Sequence, residues 1–156
     1  MIKYVPEMTS VVMEEIPDKV TLAVEISNCQ GTCMGCHSPF LRADIGEELT
    51  PSAIDALIAD NFGVNCFLLL GEGKDHEALL SVGRYIKQEH PNLALALYSG
   101  RKSVEDDIWD LFDYIKIGPY IPERGPLNNP HTNQRLYKNR EDITSRFWHK
   151  GIDPNR

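Results

Sequence analysis

No stretch of this 156-residue chain approaches the ~18 consecutive apolar residues of a membrane span. Between Met1 and Ile16 there is no apolar core behind a basic start, so no secretory signal is expected either. Cysteine is scarce, with four in all, which fits a reducing cytoplasm and unpaired thiols rather than a disulfide framework. Basic charge is short: 16 Lys and Arg stand against 23 Asp and Glu, a net charge of −7. That balance argues against a nucleic-acid partner, which calls for a basic face. A phosphate loop is missing too. Gly71-Glu72-Gly73-Lys74 lacks the G-x4-G-K-[ST] frame, and Asp75 follows the lysine. No internal repeat is evident.

What remains is an ordinary globular composition, 42% hydrophobic and 25% charged. A chain of this length buries roughly 68–70% of its unfolded surface, enough for a core without disulfides. One domain over residues 1–156 is therefore expected, with a core at about 11–120 and an irregular tail at 121–156. The charge is divided unevenly between them. Residues 1–120 hold 9 Lys and Arg against 19 Asp and Glu, whereas residues 121–156 hold 7 against 4. A solvated tail explains this, and so does a tail that docks an acidic partner through Arg135, Lys138 and Arg140.

Along the core, strand and helix patterns alternate. Thr9–Ile16, a turn at Pro17–Lys19 and Val20–Ile26 read as strand, turn, strand, the first at a sheet edge. Thr50 and Pro51 suit the N-cap and first position of a helix with Ala53, Ile54, Leu57 and Ile58 on one face, stopping near Gly63. Val64–Leu70 is a nearly unbroken apolar run, as in a strand covered on both faces, and Cys66 within it reads as a small buried hydrophobe. A helix over Asp75–Glu89, a strand over Leu93–Tyr98, a helix capped by Ser103 and reaching Phe112, and a strand over Tyr114–Ile117 follow. Crossovers of this length predict a parallel sheet. Prolines 119, 122, 126 and 130 then break the pattern, with a short strand pair expected at Arg135–Tyr137 and Ile143–Phe147.

Three of the four cysteines, Cys29, Cys33 and Cys36, fall in one C-x3-C-x2-C loop after the Val20–Ile26 strand. Four chemistries compete for them. An iron–sulfur cluster on three thiolates would leave one iron open. Structural zinc with His37 as fourth ligand would ask adjacent residues to reach two corners of a tetrahedron. Covalent haem fits C-x-x-C-H but leaves Cys29 unexplained. A redox pair does the same. In parallel α/β folds ligands sit outside the carboxyl ends of the strands. The cysteine loop, Gly71-Glu72-Gly73, Ser99-Gly100 and Lys116 all fall at such ends. Each also has a plainer role. The glycines suit a tight turn, Ser99 a turn, His37 a solvated loop, and Lys116 a carboxylate neighbour such as Asp113.

The cysteine triplet after the first strand of an α/β chain resembles the radical S-adenosylmethionine superfamily. Cys33–Pro39, with Gly118-Pro119-Tyr120 and Thr132–Arg135, resembles the activating proteins of anaerobic ribonucleoside-triphosphate reductase. The likeness runs from about Val11 to Trp148. It implies that the α/β fold is an open partial (β/α) barrel of parallel strands, to which the strand pattern of residues 1–26 adds an N-terminal β extension. It also implies a 4Fe–4S cluster held by Cys29, Cys33 and Cys36, with the amine and carboxylate of S-adenosylmethionine on the open iron. In the superfamily the turn after the next strand usually reads Gly-Gly-Glu; here Leu70 replaces the first glycine. The resemblance places Gly35, Cys36 and His37 against the adenosyl part, and Gly71, Glu72 and Gly73 near the methionyl amine. Ser99 would reach the ribose and Lys116 the carboxylate. The implied activity is reductive cleavage of S-adenosylmethionine and abstraction of a glycine hydrogen from the reductase's large subunit. A one-electron donor such as a flavodoxin would supply the electron.

Overall fold

The computed structural model describes residues 1–13, 15–27, 46–119, 121–125, 127 and 129–147. Nine strands and three α-helices are found among them: β1 (Lys3–Tyr4), β2 (Ser10–Val12), β3 (Thr21–Glu25), β4 (Glu47–Glu48), α1 (Pro51–Asp60), β5 (Cys66–Leu70), α2 (His76–Glu89), β6 (Ala94–Tyr98), α3 (Asp106–Leu111), β7 (Tyr114–Ile117), β8 (Arg135–Lys138) and β9 (Glu141–Asp142). Seven strands form one sheet in the order β2-β3-β5-β6-β7-β8-β9, and β1 pairs with β4 apart from it. The central four, β3, β5, β6 and β7, run parallel; β2, β8 and β9 are antiparallel additions. The sheet is mixed, flanked by helices and not closed into a barrel.

Period-two alternation along the strands sorts the core onto two faces. Leu22, Val24, Phe67, Leu69, Leu95, Leu97 and Ile115 face one way and pack with Ile54 of α1, Leu79, Leu80 and Ile86 of α2 and Ile108 of α3. Ala23, Cys66, Leu68, Ala96, Tyr114 and Leu136 face the other way, with Ile16, Leu127 and Ile143. Each fully buried Leu, Ile or Phe stabilises the fold by about 1.5–3 kcal/mol through apolar burial. Cys66 is one of these core residues, and burial pushes its thiol up to about 11.

The helix starts follow local chemistry. Thr50 Oγ1 accepts from the Ala53 amide at 3.1 Å, with Pro51 opening α1. Asp75 Oδ1 accepts from Ala78 N at 3.1 Å to cap α2. The helix expected from Ser103 instead begins at Asp106, with Glu105 as N-cap. The extended lead-in buries Val104 in the core and turns Glu105 toward Arg101. The described residues between 121 and 147 are less irregular than the sequence suggests. Strand β8 is where a strand was expected, and it pairs with all four residues of β7. The second expected tail strand is a correction: Thr144–Phe147 forms a 3-10 turn, and the hairpin partner is Glu141–Asp142. Thr144 decides this, since its Oγ1 accepts from Leu136 N at 2.8 Å and its own amide donates to Asp142 Oδ1 at 2.9 Å. No helix among the described residues is long and apolar enough to cross a membrane.

Candidate functional site

The parallel register sets Glu25, Leu70, Tyr98 and Lys116 side by side in one row at the carboxyl ends of β3, β5, β6 and β7. The loops beyond β5 and β6 carry Glu72 and Ser99, two of the polar residues singled out from the sequence. Gly71 leaves β5 at φ 123° and Gly73 follows at φ 68°, in the region L-residues avoid. A Cβ on Gly73 would lie 3.0 Å from Ile2 Cδ1, so the loop is held tight against the core.

Glu72, between these glycines, is the centre of an ion-pair network. Arg101 donates to it twice, Nη2 to Oε1 at 2.5 Å and Nε to Oε2 at 3.0 Å. The Ser99 hydroxyl donates to the same Oε2 and accepts from the Arg101 amide at 3.1 Å. Ser99 is fully buried, and its own amide donates to Lys116 O at 2.8 Å, so the hydroxyl is set by the sheet. Arg101 also grips Glu105, Nη1 to Oε1 and Nη2 to Oε2, each at 2.8 Å. Bonding to Arg101 lowers the Glu105 carboxyl to about 2, and the two carboxylates raise the guanidinium further.

His76, the first residue of α2, extends the network. Its Nε2 lies 2.9 Å from Asp107 Oδ2 and its Nδ1 lies 3.8 Å from Glu105 Oε2. The hydrogen bond to Asp107 is the main reason its pKa is raised, partly offset by burial. Among the described residues, His76, Glu105 and Asp107 form the one group of side chains able to hold a metal ion. This finding corrects the 4Fe–4S expectation. The metal-competent group is an imidazole with two carboxylates, nitrogen and oxygen donors, whereas an iron–sulfur cluster is held chiefly by thiolates. No cysteine belongs to it, and Cys66 is a buried core residue. Cys29, Cys33, Gly35, Cys36 and His37 lie outside the described residues.

Gly71, Glu72, Gly73, Ser99 and Lys116 are thus brought to one end of the sheet. Lys116 is nearly buried, with Nζ 5.1 Å from the centre of the Tyr98 ring. Asp113, its expected neighbour, is instead taken by Lys87 at 3.0 and 2.8 Å. Sequence reasoning missed Arg101, Glu105 and Glu25. Glu25 was visible as the single charge in an apolar strand; burial and the nearby Glu15 raise its carboxyl to about 7. Arg101 was legible only as a residue two places beyond Ser99.

The two C-terminal segments that carried the resemblance also meet. Asn133 Nδ2 donates to Pro119 O at 2.9 Å, and Gly118 N donates to Arg101 O at 2.7 Å. Gln134 Nε2 donates to Gly118 O at 3.4 Å, so Asn133 and Gln134 brace the loop that braces Arg101. No family model, no curated protein and no solved structure matches the chain.

Proposed function

We propose that the chain activates the large subunit of an anaerobic ribonucleoside-triphosphate reductase. In this reading one electron, drawn ultimately from a donor such as a flavodoxin, drives reductive cleavage of the sulfonium–C5′ bond of S-adenosylmethionine. Methionine leaves, and the 5′-deoxyadenosyl radical takes a hydrogen atom from a glycine Cα of the partner, leaving a glycyl radical and 5′-deoxyadenosine. The sheet would be an open partial (β/α) barrel and the setting a reducing cytoplasm.

One observation carries the reading: Glu72, Ser99 and Lys116, expected from the resemblance to contact S-adenosylmethionine, gather at the carboxyl ends of adjacent parallel strands. Positioning of bound reactants is the contribution such a site makes. A chain with few loops suits a protein substrate, because the partner would complete the pocket. Residues 121–156 hold 7 Lys and Arg against 4 Asp and Glu, and Arg135, Lys138 and Arg140 among them would help to dock an acidic surface of that partner.

The test is anaerobic mixing with candidate reductase large subunits, S-adenosylmethionine and reduced flavodoxin. The expected result is a glycyl radical in the partner by electron paramagnetic resonance, with equal release of methionine and 5′-deoxyadenosine. Intact S-adenosylmethionine and a silent partner across the candidates would refute it.

A further inference from the structure

We infer that Arg101 is a built-in competitor for the Glu72 carboxylate: it holds the place of a ligand's primary ammonium group and withdraws onto Glu105 when that ligand arrives. The inference rests on the proposed reading of S-adenosylmethionine as the ligand, and adds a step of exchange to it.

The hydrogen-bond pattern makes the exchange feasible. Both oxygens of Glu72 are occupied, Oε1 by Arg101 Nη2 and Oε2 by Arg101 Nε and the Ser99 hydroxyl. An incoming ammonium therefore has to displace the guanidinium. Arg101 divides its donors unevenly: Nε serves Glu72 alone, Nη1 serves Glu105 alone, and Nη2 is shared. On losing Glu72 it keeps the parallel Nη1–Oε1 and Nη2–Oε2 pair with Glu105, a bidentate arrangement that satisfies it. Glu72 keeps its orientation as well, because buried Ser99 still donates to it.

Charge points the same way. Glu72 and Glu105 share one guanidinium, so the triad is one positive charge short. A monocation is what completes the triad, with each carboxylate then holding one cation. Access fits too. The Arg101 side chain is 42% exposed and that of Glu72 only 16%, so the guanidinium covers the carboxylate from the solvent side. Gly71 and Gly73 offer no side chain on either flank.

Calorimetric titration of the full chain with S-adenosylmethionine, and with 5′-methylthioadenosine, which lacks the amino-acid group, tests this. Arg101→Ala should bind S-adenosylmethionine roughly fivefold to tenfold tighter, the size of a partly exposed bidentate pair, with 5′-methylthioadenosine unchanged. Glu105→Gln, which leaves Arg101 to Glu72, should weaken S-adenosylmethionine binding by about threefold. Arg101→Lys, which keeps the charge without the fork, should fall between wild type and Arg101→Ala and serves if the alanine variant does not fold. Weaker or unchanged binding by Arg101→Ala overturns the inference. So does an equal gain for 5′-methylthioadenosine, or no S-adenosylmethionine binding by any form. A glycyl radical formed without this affinity pattern removes the exchange and leaves the function standing. The affinity pattern without a glycyl radical does the reverse.

Discussion

The two ends of the parallel strands both carry ion pairs, but of different kinds. At the amino end, Lys87 of α2 holds Asp113 just before β7, and Asp113 Oδ2 also accepts from the Leu95 amide at 2.9 Å. Nearby, Asp55 of α1 accepts from Tyr85 at 2.7 Å and pairs with His90 at 2.8 Å. There each acid joins one element to the next and has a backbone group or a neighbouring helix to satisfy. At the carboxyl end, Glu72 sits on a glycine turn, joins no helix to a strand and shares its one cation with Glu105. The amino end is closed structurally. Among the described residues, the two carboxylates Glu72 and Glu105 thus depend on a single guanidinium, whereas each acid at the amino end has its own partners.

Asp113→Ala should break the amino end most severely. It strands the buried Leu95 amide and Lys87 together and should cost about 2–3 kcal/mol in urea unfolding, with ligand binding unchanged. A loss below ~0.5 kcal/mol would mean that this end is no brace. Gly73→Ala should cost about 1–2 kcal/mol, since φ is 68° and the new Cβ meets Ile2; a neutral result would show that the turn relaxes freely. Glu72→Gln sharpens the contrast from the other side, with S-adenosylmethionine binding reduced roughly tenfold and stability changed by less than ~1 kcal/mol. A large stability loss instead would make Glu72 another brace.

The pH response is smaller, and its sign differs between residues. Glu105 is depressed to about 2, so its contribution is present above the ordinary carboxylate range and lost as pH falls through about 2. His76 is raised, so its contribution is complete below the usual imidazole value and fades as pH rises through the folded one. Glu25 is a carboxylate raised to about 7, so its ionisation penalises the fold as pH climbs from the ordinary carboxylate range to about 7. Glu25→Gln should therefore raise the melting temperature at pH 8 relative to wild type, with the gain gone near pH 4. An equal gain at both pH values would trace the effect to packing. The smallest effect belongs to Phe62→Ser, where a fully exposed ring should be worth less than ~0.5 kcal/mol.

The cap at Thr50, the helix beginning near Asp75 and the apolar run ending at Leu70 were legible because each is local; that Asp75 itself caps α2 was not read. The start of α3 was not, because Arg101 reaching Glu105 and the burial of Val104 outweighed the hydroxyl of Ser103 as a cap. Lys116 was legible as a problem, a charge in an apolar strand. Its setting beside Tyr98 came from β6 lying against β7 in register, which spacing along one strand does not reveal.

Alternation and capping residues by themselves determined that strands and helices would succeed one another, and the crossover lengths determined that the central strands would run parallel. Both are short-range properties, set by backbone geometry and the side chains within a turn or two. Only the tertiary structure decided which charges met. Glu72 and Arg101 lie on separate loops, and their pairing follows from β5 and β6 ending side by side, where a guanidinium can span two carboxylates.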